Sequence, residues 1–273
     1  MRKIVYLLLL LILLIHNKGQ SQTLDTLITI DKYKLHFEII KGKGTPILFE
    51  AGNGNDCSVW KPLLQNISKA TGAPLITYDR AGLGKSEIDT TKISFKREVK
   101  NLDKILEQLG YGESYFLVAH SFGGFYASEF AQINKNKING AVFIDTATPC
   151  LMTKEWASDY KNSLPADVWA MLKQHRVGLY YVLQNLPTIA TYMSTRFITN
   201  EMPLTLIVAE NLPDANTLKT EEDKVNWVQC LQDFGRQSNH NYVVAKGADH
   251  KIWEKSPELV IKEIIQLYKL TNL

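Results

Sequence analysis

The chain has 273 residues, with 31 Lys and Arg, 28 Asp and Glu and 45% apolar side chains. The whole positive excess, Arg2, Lys3 and Lys18, falls in the first 21 residues, which carry no acid, so the rest of the chain is formally neutral. A neutral chain lacks the surplus of Lys and Arg that displaces counterions from nucleic-acid phosphates or holds a protein on an anionic membrane, and neither partner is expected. About 252 residues remain after that stretch, enough for one large core.

Arg2 and Lys3 lead into twelve apolar residues, positions 4–15, and a polar stretch over 16–21 that contains the small residues Gly19 and Ser21. The apolar run is shorter than the roughly 20 residues of a membrane-spanning helix. Residues 1–21 therefore read as a secretory signal peptide cleaved before Gln22, in preference to an uncleaved anchor, which makes the protein secreted or periplasmic. The cysteines, Cys57, Cys150 and Cys230, are odd in number and widely spaced, which suggests neither a disulfide framework nor a zinc site. Buried free thiols are expected, with a single disulfide as the alternative.

Next come two β-rich runs, 24–30 and 33–40, separated by Asp31 and Lys32, as in a hairpin. Short, nearly continuous apolar runs occupy 46–50, 74–78, 114–119, 140–144, 203–209 and 242–245, the pattern of strands buried on both faces. Between them, 58–71, 95–109, 122–133, 221–235 and 257–270 carry apolar residues at helical spacing. Alternating strands and helices predict a doubly wound, mostly parallel α/β sheet. The exception is 146–202, too long for one crossover and rich in Trp and Tyr, which reads as a helical cap inserted into a core made of 22–145 and 203–273.

Ala119, His120, Ser121, Phe122, Gly123 and Gly124 follow a predicted strand and open a predicted helix. A serine on such a turn sits at strained backbone angles, so small residues are needed two before and two after it, here Ala119 and Gly123. The helix directs its first N–H groups at negative charge that develops beside the serine. Serine needs a base to be a nucleophile at neutral pH, and His250, on the loop after the last strand, faces the crevice where open α/β sheets bind ligands. His36 lies in an early strand, His175 in the insertion and His240 at the other end of the sheet, while His120 suits a structural role beside the serine. Orienting His250 requires a carboxylate. Asp145, at the end of the strand after the serine helix, is ranked first, with Asp214 and Glu210 after the next strand as alternatives. Two donors are needed for the oxyanion. The N–H of Phe122 supplies one and the N–H of Asn53, between Gly52 and Gly54, the other.

These segments together resemble the α/β-hydrolase superfamily: 50–56, the Tyr78-Asp79-Arg80-Ala81-Gly82-Leu83-Gly84 loop, the 119–124 turn, and 247–250 with 256–260, in that order. The resemblance covers roughly residues 33 to 270 and implies the α/β-hydrolase fold. It assigns Asp79 and Arg80 to structure rather than chemistry, and it admits an acid at the Asp145 position in some members. Serine at 121 separates the chain from the haloalkane dehalogenase and epoxide hydrolase branches, which use aspartate there.

The expectation is therefore a secreted serine hydrolase of a small, apolar or aromatic ester, with Ser121, His250 and Asp145 as its triad and no metal or organic cofactor. One rival is a hydrolase-fold binding protein with little turnover. The other is a proline-releasing peptidase, whose free-amine site would draw on Glu155, Asp159 or Asp167 in the cap.

Overall fold

The computed structural model describes residues 23–199, 202–213 and 217–272. The signal-peptide stretch and Asp214 lie outside the described residues. Among the described residues eight strands form one sheet: β1 (Thr23–Ile30), β2 (Tyr33–Ile40), β3 (Ile47–Glu50), β4 (Leu75–Tyr78), β5 (Tyr115–His120), β6 (Ile138–Ile144), β7 (Leu204–Ala209) and β8 (His240–Ala245), in spatial order β1-β2-β4-β3-β5-β6-β7-β8. The hairpin β1–β2 and the β2–β4 pair are antiparallel, and all other pairs are parallel.

The parallel strands explain their own composition. Residues of β3, β4 and β5 are buried throughout, because helices cover both faces. Alternation then sorts them: Leu48 and Leu117 face one core, while Ile47, Phe49, Phe116 and Val118 face the other. The first core lies under α2 (Phe95–Gln108), α3 (Gly123–Ile133) and α8 (Glu221–Gly235). The second lies under α1 (Lys61–Thr71), the short α9 (Ile252–Lys255) and α10 (Pro257–Thr271). Two features set where helices start: Ser94 caps α2 at the Arg97 N–H, and Pro62 lies in the first turn of α1, which comes after a 3-10 turn over Cys57–Trp60.

Among the described residues between β6 and β7 stand four short helices, α4 (Lys154–Asn162), α5 (Ala166–His175), α6 (Val177–Gln184) and α7 (Leu186–Met193). Buried Glu129 on α3 ties this region down. It accepts from Tyr192 Oη at 2.9 Å and Arg196 Nε at 2.7 Å.

The cysteines correct the sequence expectation. Cys150, just before α4, is bonded to Cys230 on α8, and only Cys57 is a free, buried thiol. The two partners are 80 residues apart, and no local spacing marks them as a pair.

Candidate active site

The carboxyl ends of β3, β5, β6, β7 and β8 open on one side of the sheet, and the candidate residues gather there. At the end of β5 the chain turns through Ser121, whose φ of 52° lies in the left-handed region that a residue with a Cβ adopts only under constraint. The constraint is visible: Ser121 N donates to Ile144 O at 3.1 Å, and Gly124 N donates back to Ser121 O at 3.1 Å. Gly123 must be glycine, since a Cβ there would come within 2.4 Å of Glu50 O and 2.6 Å of Ala51 O. That close approach packs the start of α3 against the loop after β3.

Asp145 comes directly after β6, also at positive φ (43°), and is fully buried. Its Oδ2 lies 2.7 Å from His250 Nδ1, and its Oδ1 accepts from Ala209 N at 3.2 Å. Burial raises the Asp145 pKa, and the His250 contact opposes that rise. With Asp145 ionised, His250 carries its proton on Nδ1 and leaves Nε2 as a lone pair. Ser121 and His250 line the same cavity. Among the described residues no hydrogen bond joins their side chains, and catalytic hydrogen bonds are commonly long until substrate tightens them.

Of the alternative acids, Glu210 is engaged elsewhere: its carboxylate accepts from Lys246 Nζ at 2.9 Å and from Gly247 N at 2.8 Å, which braces the His250 loop from outside. Two of the other histidines lie away from the site, as their sequence positions suggest. His36 is held between Asp25 and Asp79, and His240 begins β8 at the far end of the sheet.

A family model for the α/β-hydrolase fold matches residues 45–173. The chain has the α/β-hydrolase fold. YqjL of Bacillus subtilis (strain 168) is 36% identical to this chain over 129 residues, 47% of the chain and 50% of that protein. The proline iminopeptidase of Heyndrickxia coagulans is 32% identical over 133 residues, 46% and 44% of the two chains. These matches span about half the length of those two relatives. The human palmitoyl-protein thioesterase ABHD10 is 24% identical over 250 residues, covering 87% of this chain and 77% of that one. The solved structure of mouse α/β-hydrolase domain-containing protein 10 shares the fold, with a TM-score of 0.63 at 18% identity over 90% of this chain and 99% of the other.

The cavity beside Ser121 is about 340 Å³. Its floor holds Asn53, His120, Ser121, Phe122 and His250, and its walls are largely apolar, with Leu151, Met152 and Leu183 among them. Only two of the insertion's aromatics reach it, Trp156 and Tyr160, stacked at 5.2 Å. Trp169 packs on Tyr180 and Tyr192 on Glu129, so those rings serve the fold. Trp227 on α8 completes the wall, 6.0 Å from the His250 ring. Trp227, Asn55, Thr217 and Lys251 were not legible as lining residues, because a helix position or a loop neighbour carries no local mark of facing a cavity. Glu155, Asp159 and Asp167 are exposed, and none of them lines the cavity.

Behind the floor lies a buried polar cluster around Arg80, a residue that the sequence motif assigns to structure alone. Arg80 Nη1 donates to Ala51 O at 2.6 Å and Nη2 to Gly52 O at 2.7 Å. Glu50 Oε2 is 3.6 Å from Arg80, and Glu50 Oε1 accepts from Tyr78 Oη at 2.7 Å. Burial pushes Glu50 up to about 7 against the pull of Arg80. Glu98, joined to Tyr126 Oη at 3.3 Å, is raised to about 7 for the same reason.

Proposed function

We propose that the protein is a secreted serine hydrolase that cleaves small carboxylic esters with an apolar acyl or alcohol group. The observation that carries this is the joint placement of Ser121, at positive φ, and the Asp145-paired His250 in one largely apolar cavity. Ser121 Oγ attacks the ester carbonyl while His250 Nε2 takes its proton, giving a tetrahedral oxyanion held by the N–H groups of Asn53 and Phe122. Collapse expels the alcohol, which leaves with the proton from His250, and the acyl group stays on Ser121. Water, deprotonated by His250, then attacks the acyl-enzyme, and His250 returns that proton to Ser121 Oγ as the acid leaves. Asp145 keeps the tautomer and stabilises the imidazolium throughout.

The absence of any carboxylate from the cavity lining among the described residues favours an ester over a peptide with a free α-amine, despite the match to a proline iminopeptidase. The thioesterase relative supports acyl transfer to water as the reaction class. Secretion rests on the first 21 residues and gains support from the Cys150–Cys230 bridge, since disulfides persist in oxidising compartments.

Intact-mass analysis after treatment with a small fluorophosphonate tests the reading. One adduct is expected on the wild type, none on Ser121→Ala, and slow labelling on His250→Ala. A folded wild type that takes up no adduct would sink it in favour of a ligand-binding role.

A further inference from the structure

We propose that Arg80 is a positioning residue for catalysis, aiming and polarising the Asn53 N–H through the carbonyl of Gly52. The proposal rests on the reading of Ser121 as nucleophile and Asn53 as an oxyanion donor.

A trans peptide is planar, and its C=O and N–H point in opposite directions. The Gly52 carbonyl and the Asn53 N–H belong to one such plane, so whatever grips Gly52 O also fixes where the Asn53 N–H points. Arg80 Nη2 grips it at 2.7 Å, and Nη1 holds the preceding carbonyl, Ala51 O, at 2.6 Å. Two donors on a rigid fork fix two successive peptide planes at once, which a lysine ammonium, as a point donor, does not reproduce. Residue 52 has no Cβ of its own to stiffen the loop, and a Cβ there would meet His120 Nδ1 at 2.6 Å; its carbonyl also accepts from Asn55 N within the loop at 3.2 Å, and Arg80 adds the shorter, charged bond.

The charge matters as well as the geometry. A hydrogen bond from a cation to a carbonyl strengthens the same amide as a donor, and the effect is large where the dielectric is low. Arg80 is 4% exposed. A guanidinium keeps its proton even when buried, and here it lies against Glu50 at 3.6 Å and the Tyr126 ring, 4.5 Å from its Cζ. The cluster thus puts a buried positive charge behind the donor that faces the developing negative charge at Ser121.

Two variants separate positioning from folding. Arg80→Lys keeps the charge and loses the fork. Arg80→Gln with Glu50→Gln removes both partners of the buried pair. Each is studied by thermal melting, by the rate of fluorophosphonate labelling, and by kcat and KM on a short-chain aryl ester. Removal of an oxyanion donor costs roughly 10²–10³ in kcat, so misalignment by Arg80→Lys should cost roughly tenfold to a hundredfold in kcat and labelling rate, with KM changed less than about twofold. The double variant should lose at least as much. A folded Arg80→Lys protein with wild-type kcat and labelling would overturn the proposal. Loss of cooperative melting in both variants would also overturn it, by making Arg80 a stability residue only. A wild type that takes up no label fails the underlying serine-hydrolase reading instead, and is distinguishable from either result.

Discussion

His120 Nε2 donates to the backbone carbonyl of His250 at 3.0 Å, so the residue before Ser121 holds the loop that carries the proposed base. The two imidazole rings are 4.6 Å apart, and Trp253 closes the other side of His120 at 4.6 Å. Burial, reinforced by His250, pushes the His120 pKa well down and keeps it neutral, which fits a single donated hydrogen bond and avoids a second positive charge beside the imidazolium. His120→Ala should therefore lower kcat roughly tenfold to a hundredfold through misplacement of His250. It should also cost about 2–4 kcal/mol of stability from the cavity and the lost hydrogen bond. Steady-state kinetics and urea unfolding check the two effects, and unchanged kcat in a destabilised variant would reduce His120 to packing.

Asp145 and Glu210 are both acids at the carboxyl edge of the sheet, and only Asp145 touches His250. Asp145→Asn keeps the shape and removes the charge that fixes the tautomer, so kcat should fall by about 10³–10⁴. Glu210→Gln should change kcat by less than roughly threefold, since Glu210 acts on an exposed loop through Lys246 and Gly247. Parallel kcat measurements decide the assignment, and the reverse order of effects would move the acid to Glu210.

The contrast between these two acids shows what a sequence carries. The doubly wound sheet is legible because strands covered on both faces become continuous apolar runs, and Ser121 because its turn demands small neighbours at fixed offsets. Asp145 ranks first by its place at a strand end, an argument from topology. Other features have no local signature. The grip of Arg80 on Ala51 and Gly52 joins residues 29 and 28 positions apart through backbone oxygens, which no side-chain pattern encodes. Cys150 and Cys230 meet only after the insertion has folded back, and Trp227 faces the cavity because of how α8 packs.

The disulfide joins the start of the insertion, where Leu151 and Met152 line the cavity, to α8 one turn from Trp227. It closes a long loop, and loops of that size lose much denatured-state entropy when cross-linked. Cys150→Ser with Cys230→Ser should lower stability by about 2–4 kcal/mol. Added reductant should bring the wild type to the same melting temperature while leaving the double variant unmoved. Equal melting of wild type and variant without reductant would show the bridge to be absent in solution.

Glu50 gives a pH dependence with a definite sign. Its carboxyl sits near 7 in the folded protein because burial disfavours the charged form, against an ordinary value of 4.5 in the unfolded chain. Between those values the folded state holds a proton that the unfolded state has released. The contribution is therefore present in full below about 4.5 and lost as pH rises through about 7. Asp145, raised in the same direction, adds to this slope, whereas His120, held neutral by burial, opposes it by destabilising the fold as pH falls. Wild-type stability alone thus mixes opposite trends, and the difference between wild type and Glu50→Gln isolates one of them. The glutamine has the same shape, stays uncharged at every pH and still accepts from Tyr78 Oη. Relative to the wild type, Glu50→Gln should gain stability on going from pH 5 to pH 8, on the order of 1–3 kcal/mol. Urea unfolding at the two pH values measures it. A variant that instead loses ground at pH 8 would mean that Glu50 is ionised in the folded protein and pairs with Arg80 strongly enough to outweigh its burial.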